Sequence, residues 1–140
     1  MFKNFFKKKE KNNQDSNILI AALLIHAAKI DENYTEIEKK IITKAIVDLS
    51  KLNFDKVKLI MEEAEKKEKE SNQIVEFTRE IKKYPIEFRL KIIEIIWKIV
   101  YSDGKNDSYE STLIRRICGL LYVSDKDNGV IKEKILNQLK

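Results

Sequence analysis

The sequence predicts an all-α protein, a seven-helix bundle built from two pseudo-repeated helical halves. Its 140 residues include only three Gly and one Pro, too few for the tight turns of a β-sandwich or barrel. Apolar residues recur at helical spacing along most of the chain, and the length is sufficient to bury a core without disulfides or metals. We expect one helical domain over residues 15–140, preceded by a short leader, residues 1–14.

The first two helices are predicted from an apolar run and from a capping signal. The first begins after Asp15 or Ser16 and reaches about Ile30. It is apolar around nearly its whole circumference, which is typical of a helix inside a bundle. The second begins after Thr35, because Thr35 and Glu38 have the spacing of a capping box. We expect one buried stripe along it, formed by Ile37, Ile41, Ile42 and Ala45.

The next three helices follow from apolar spacing and from Pro85. The third begins after Asn53 or Asp55 and ends in EEAEKKEKE, residues 62–70. This mixed-charge stretch is typical of an exposed helical end with i,i+4 pairs. The fourth has a single apolar face, and Pro85 is expected at the first position of the fifth. Like the first helix, the fifth is apolar around most of its circumference.

An internal repeat relates the two halves of the chain. Residues 23–49 align with residues 95–121 without gaps, at an offset of 72 positions. Each copy contains an apolar helix, an acidic turn, an N-cap residue and an amphipathic helix. Beyond these segments the offset falls to 69 positions, with LNFD matching LYVS. The sixth helix is predicted from Asp107 to Leu121, and the seventh begins at about Asp127. Helical pairs of this kind pack as a pseudo-symmetric bundle.

The two acidic turns are the candidate site, and an EF-hand is excluded there. Counting from Asp103 places Lys105 at the third ligand position and Ile114 at the twelfth, where an EF-hand needs oxygen ligands. Helix capping explains most of the pattern without a metal, since Thr35 or Asp107 caps a helix and the Glu three residues later reaches back. Gly104 is expected to end the fifth helix with a positive φ.

A divalent cation is the competing interpretation of the same turns. Capping does not explain Asp31 and Asp103, which lie at helix C-termini, where a negative charge is unfavourable. If both carboxylates turn back toward the Glu of the next helix, they form an oxygen-rich site suited to calcium or magnesium. The candidate ligands are Asp31, Glu38, Asp103, Asp107 and Glu110. The residues alone leave the capped turn and the cation site both open.

The leader is basic and carries half of the phenylalanines. Residues 1–11 hold five Lys and one Glu, whereas the rest of the chain carries 23 basic and 22 acidic side chains. A nearly neutral body predicts no nucleic-acid partner. An amphipathic basic segment predicts peripheral contact with an anionic membrane or with a partner, and the alternative is an unstructured or self-docked leader. The predicted contact residues are Phe2, Phe5, Phe6, Lys7, Lys8 and Lys9.

The remaining reactive side chains favour structural roles. Cys118 is the single cysteine, which excludes an internal disulfide and fits a reducing cytoplasm. It lies on the core stripe of the sixth helix, and His26, the single histidine, is expected to be a hydrogen-bonded core or boundary residue. Zinc requires more His or Cys ligands than the chain has. Trp97 is expected in the core, and no catalytic motif is evident, so we predict that the chain is not an enzyme.

The repeated turns resemble those of the tellurite-resistance protein B (TerB-like) family. The resemblance rests on a helix ending in WKIVYSDG, a Glu seven positions after that Asp, the segment LIRRICGLLYVS and the earlier segment IVEFTREIKKY, and it covers residues 17–127. It implies about seven helices in two related halves and a bacterial cytoplasmic protein of the stress response. The first copy departs from the pattern, because Glu32 stands at the position of Gly104.

Two functional hypotheses follow from the resemblance. The first is a non-enzymatic TerB-like module that binds a protein partner, with a divalent cation, near the cytoplasmic face of the inner membrane. The partner would be an inner-membrane protein, and the module cytoplasmic or peripheral to that membrane. The second is a metal-independent helical adaptor whose acidic turns are only helix caps. An enzyme or a nucleic-acid binder is disfavoured by the motifs and by the charge.

Overall fold

The computed structural model describes residues 16–29, 34–71, 73–103 and 108–138. These residues form helices joined by short turns and contain no strand, which confirms the all-α fold. The first helix, α1, spans residues 16–28, and a short 3₁₀ turn, Tyr101–Asp103, follows the fifth. The other helices are α2 Glu36–Ser50, α3 Phe54–Glu70, α4 Ile74–Ile81, α5 Ile86–Val100, α6 Ser108–Leu120 and α7 Asp125–Gln138.

Helices α1 and α5 form the centre of the core, as their composition predicts. From Ile20 to Ala28, every α1 residue except His26 is at most 2% exposed. Helix α5 buries most of its second half, including Trp97, and packs against α2, α6 and α7. The remaining helices bury one face each, with α2 against α3 and α4 against α6. No helix among the described residues is long and apolar enough to cross a membrane.

Helix α2 begins with the predicted capping box. The Thr35 hydroxyl accepts a hydrogen bond from the Glu38 N–H at 3.1 Å, and a Glu38 carboxylate oxygen accepts one from the Thr35 N–H at 2.9 Å. The predicted stripe is wrong at Ile37, which is 64% exposed. The buried line runs through positions 38, 42 and 46, about 100° around the helix from Ile37.

Helix α3 begins as predicted but does not end as an exposed helix. The Asn53 side chain accepts a hydrogen bond from the Lys56 N–H at 2.9 Å, which makes Asn53 the N-cap. In the charged stretch, Ala64 is fully buried and Glu68 is only 8% exposed. The expectation of a solvated end is therefore wrong for this face, because it lies against α1.

Two helix starts differ from the prediction by one or two residues. Pro85 is the N-cap of α5 rather than its first residue, with φ −54° and ψ 155°. Helix α7 begins at Asp125, because the Ser124 hydroxyl accepts a hydrogen bond from the Asp127 N–H at 3.1 Å. The predicted cap Asp107 lies outside the described residues.

The two halves reuse one connector geometry. Lys51 and Tyr122 both adopt left-handed backbone, with φ of 59° and 56°. In each connector the N-cap of the next helix, Asn53 or Ser124, follows two residues later. In the structure, equivalent connector residues of the two halves are thus 71 positions apart. The predicted offset of 69 is wrong, because it matched the similar sequences LNFD and LYVS, whose residues do not have equivalent backbone positions.

Arg89, on α5, forms hydrogen bonds with the connector between α6 and α7 and with the residue before Pro85. Its guanidinium donates from Nη1 to the Leu121 carbonyl at 2.8 Å and from Nε to the Tyr84 carbonyl at 2.9 Å. A cation at a helix C-terminus satisfies carbonyls that have no helical partner and opposes the helix dipole favourably. This side chain therefore links the end of α6 to the start of α5.

Candidate functional site

The predicted cation ligands are described only in part. Asp31 and Asp107 lie outside the described residues, as does Gly104. Asp103 ends the 3₁₀ turn and Glu110 belongs to the first turn of α6, but the positions of their side chains also lie outside the description. Glu38 is thus the candidate ligand whose side chain can be assessed.

Glu38 acts as a helix-capping residue. It is 7% exposed, and the hydrogen bond from the Thr35 N–H fixes its carboxylate at the start of α2. This geometry is the capping arrangement expected from the sequence. Among the described residues, no group of three or more His, Cys, Asp or Glu side chains is arranged to hold a metal ion.

Helix α3 places two carboxylates beside the first acidic turn, in what we call the Glu65–Glu68 cluster. Glu68 lies between α1 and α3, where one oxygen is 2.7 Å from the Lys29 ammonium and the other is 3.4 Å from His26 Nδ1. Lys29 is the last described residue before the turn. The cluster consists of His26, Lys29, Tyr34, Lys39, Glu65 and Glu68.

Glu65 holds the other side of the same turn. The Tyr34 hydroxyl donates to Glu65 Oε1 at 3.4 Å, and the Lys39 ammonium is 3.1 Å from that oxygen. Burial, and then the negative charge of Glu65, raises the pKa of Tyr34 well above its usual value. The phenol therefore remains a neutral donor at any physiological pH. Together, Glu65 and Glu68 tie both flanks of the turn to α3.

The Glu65–Glu68 cluster was not predicted from the sequence, although the sequence contains two indications of it. Met61, Ala64 and Glu68 continue one helical face at i, i+3 and i+7, so the buried line of α3 extends into the charged stretch. His26 on the apolar α1, and Lys29 directly after this helix, indicate a need for a carboxylate partner. The expectation that His26 is a hydrogen-bonded boundary residue is confirmed, with Glu68 as its partner.

Cys118 is a core residue and a poor nucleophile. It is 1% exposed, as its place on the core stripe predicts. Burial, and then the negative charge of Asp125, raises the pKa of the Cys118 thiol from its ordinary value of 9.0 to about 12. Because the folded chain holds this proton more tightly than the unfolded chain, the stability that it contributes is complete below about pH 9 and is lost as pH rises toward 12.

We predict that Cys118 in the native protein reacts with 5,5′-dithiobis(2-nitrobenzoic acid) at pH 8 at least about 100-fold more slowly than in urea, since the reactive thiolate is both rare and inaccessible. The control is the double variant Cys118→Ala/Lys126→Cys, whose thiol replaces an exposed side chain on α7 and should react at once. Equal rates for native and unfolded Cys118 would show that the site opens readily.

A groove with an apolar lining, the α2–α3 groove, lies between α2 and α3. Its volume is about 520 Å³. Phe54, the first residue of α3, stands beside it with 63% of its surface exposed. The apolar lining residues are Val47, Phe54 and Met61, and the polar ones are Glu36, Lys39, Lys40, Thr43, Lys44, Lys58 and Glu62. The sequence does not predict this groove, because the spacing of apolar residues does not show which partly apolar helix face the other helices leave uncovered.

The leader residues singled out for membrane or partner contact lie outside the described part of the chain. These are Phe2, Phe5, Phe6, Lys7, Lys8 and Lys9. Their role stays a prediction.

The fold and these surfaces define a helical domain of two pseudo-repeated halves, with an ionic cluster beside an acidic turn. The sequence matches the model of the family "Tellurite resistance protein TerB" over residues 17–133. The chain belongs to this family, which confirms the resemblance seen in the repeated turns. The TerB domain is generally a non-catalytic helical domain. No curated protein and no solved structure shows significant similarity to the chain.

Proposed function

We propose that this chain is a non-enzymatic TerB module of the stress response that binds a protein partner near the cytoplasmic face of the inner membrane. Family membership supports a module of this type. The observation that supports partner binding is the α2–α3 groove, where Phe54 exposes 63% of its surface beside the apolar residues Val47 and Met61. An apolar depression with a polar rim is a common feature of protein interaction sites.

Phe54 is the groove residue from whose burial a partner would gain most. Fully burying a phenylalanine side chain contributes about 1.5–3 kcal/mol, and aromatic residues commonly dominate binding when they enter a partner's pocket. Phe54 contributes nothing comparable to the fold, because most of its surface remains in water. A partner that covers the groove would supply the missing burial.

A pair of matched variants tests this proposal. Phe54 and Leu59 are both on α3 and both 63% exposed, but only Phe54 is among the groove residues. We expect Phe54→Ser to abolish crosslinking of the chain to its cellular partner and Leu59→Ser to retain it, with unchanged circular dichroism for both. Equal crosslinking by the two variants would place the partner elsewhere.

A divalent cation at the acidic turns is a further part of the proposal. Its support is the repeated Asp31 and Asp103, whose positions at helix C-termini capping does not explain. The metal-independent adaptor is the alternative, and the capping role of Glu38 favours it for the first turn. An NMR titration with calcium and then magnesium separates them. Saturable shifts that disappear in Asp31→Ala and Asp103→Ala support the cation, and shifts unaffected by both substitutions exclude it.

Peripheral membrane contact through the leader is the last part of the proposal. Each lysine near an anionic surface contributes about 1 kcal/mol, and residues 1–11 carry five. We expect salt-sensitive binding to vesicles that contain phosphatidylglycerol, lost on deletion of residues 1–11. Binding that survives the deletion would contradict the role of the leader.

A further inference from the structure

We infer that the α2–α3 groove docks an acidic amphipathic helix of a protein partner. This inference rests on the proposed function, because it names the class of partner that the same surface takes.

The shape of the groove suits a helix of about three turns. Its α2 wall extends from Glu36 to Val47, which is about 17 Å of helix. Met61 is buried in its floor, Val47 is half-buried, and Phe54 is exposed at the end where α3 begins. An amphipathic helix docks into such a groove through apolar residues at i, i+3 or i+4, and i+7.

The rim of the groove is positively charged. Four lysines and two glutamates border it. Lys39 is engaged by Glu65 at 3.1 Å, whereas Lys40, Lys44 and Lys58 form no ion pair with any described residue. Acidic side chains beside the apolar face of a docked helix would meet these three ammonium groups.

The second half of the molecule shows that the fold does not require an apolar groove. Helix α7 occupies the place of α3 there, and a smaller cavity of about 250 Å³ lies between α6 and α7. Phe54 is the first residue of α3, and the first residue of α7 is Asp125. Seven residues further along, Met61 corresponds to Lys132. The second cavity thus has charged residues where the first has Phe54 and Met61. Met61 belongs to the core, but the exposed Phe54 does not, so the bundle does not require an aromatic side chain at this position.

Charge disfavours the two occupants that the chain itself could supply. The leader carries five Lys and one Glu in residues 1–11, so it would bring like charge to Lys40, Lys44 and Lys58. A second copy, with a formal net charge of +5, would place lysines against lysines in a symmetric contact. An acidic partner relieves the repulsion that both of these would create.

The first test uses two synthetic peptides and the full chain. Both peptides are fluorescein-labelled 14-mers with Leu at i, i+3, i+4 and i+7, and the other positions are mainly Glu in one and Lys in the other. Fluorescence anisotropy at 50 mM and 200 mM salt measures binding. We expect saturable, salt-sensitive binding of the acidic peptide and at least about tenfold weaker binding of the basic peptide. Equal binding of the two peptides, or binding of neither, would overturn the inference.

The second test reverses the charge of the rim. In the triple variant Lys40→Glu/Lys44→Glu/Lys58→Glu we expect the Kd for the acidic peptide to rise about tenfold or more, and Lys44→Glu alone to give a smaller rise. The matched control, Lys82→Glu/Lys91→Glu/Lys126→Glu, replaces three exposed lysines outside the groove. It changes the net charge by the same amount as the rim variant. An equal loss in both triple variants would show a general charge effect and overturn the inference.

Further outcomes separate this inference from the proposed function. If Phe54→Ser loses the cellular partner and Leu59→Ser keeps it while the acidic peptide does not bind, the inference fails and the proposed function stands. If both serine variants keep the partner, the α2–α3 groove is not the partner site, and this part of the proposed function fails whatever the peptides do. Binding of phosphatidylglycerol vesicles through Lys40, Lys44 and Lys58, without peptide binding, would also overturn the inference in favour of a lipid surface.

Discussion

Replacement of Trp97 by alanine will lower the free energy of unfolding by about 3–5 kcal/mol, the range for truncating a large aromatic residue in a core. Trp97 is the single tryptophan and is 1% exposed. It stacks on Tyr101 with ring centroids 5.3 Å apart, and its indole N–H donates to the Asn128 side chain at 2.8 Å. Truncation leaves a cavity between α5 and α7 and removes the donor for Asn128.

Urea denaturation followed by far-UV circular dichroism measures this effect, since the variant has no tryptophan fluorescence. Trp97→Phe should cost less, about 1–2 kcal/mol, because it keeps an aromatic ring and loses the hydrogen bond. The surface control is Val130→Ala on α7, where the side chain is 62% exposed and the change should stay within about 0.5 kcal/mol. A Trp97→Ala effect as small as that of the control would contradict the packing around α5.

Glu68→Ala will lower the free energy of unfolding by about 2 kcal/mol. Removing one member of a fully buried ion pair costs about 3–5 kcal/mol. The expected loss is smaller here because the Lys29 and His26 side chains keep 28% and 25% of their surface in water. The substitution leaves the Lys29 ammonium without its carboxylate at 2.7 Å and His26 without its partner at 3.4 Å.

The control for this prediction is Glu70→Ala, an exposed glutamate in the last turn of the same helix. Its effect should stay within about 0.5 kcal/mol. The double variant Lys29→Met/Glu68→Leu tests the pair directly, because replacing both charges with apolar groups should recover much of the loss. If Glu68→Ala and Glu70→Ala are equally mild, the contacts of Glu68 with Lys29 and His26 do not stabilise the fold.

The apolar pattern predicted which helices are central. From Ile20 to Ala28, α1 is apolar on nearly every side, and α5 has a single narrow polar face, formed by Glu87, Lys91, Glu94 and Lys98. Both helices are therefore central in a compact arrangement of this chain. Local hydrogen bonding likewise predicted the caps of α2 and α3, since Thr35, Glu38 and Asn53 satisfy N–H groups within three residues of themselves. Such features depend on neighbours in the sequence and can be read from it.

The residues of the candidate site were predicted less well than the helices and their caps, because their burial depends on contacts between distant helices. Glu68 and Glu70 belong to the same charged stretch, yet Glu68 is buried and Glu70 is exposed. Their different environments depend on where α1 crosses α3, which no local pattern encodes. Ile37 and Phe54 are opposite cases, large apolar side chains that the packing of the other helices leaves 64% and 63% exposed.

The sequence by itself determined the helices, the caps of α2 and α3, the two repeated halves and the identity of the central pair. Each of these follows from the period of the apolar residues or from hydrogen bonds between close neighbours. Only the tertiary structure decided that Glu68 joins Lys29, that Arg89 reaches the end of α6, and that the α2–α3 groove remains open. The ion pair and the hydrogen bond join residues that are 32 or more positions apart in the sequence. The groove depends on which helix face is left uncovered. The packing of all the helices together sets them, because a side chain is buried or exposed only in relation to the element that lies over it.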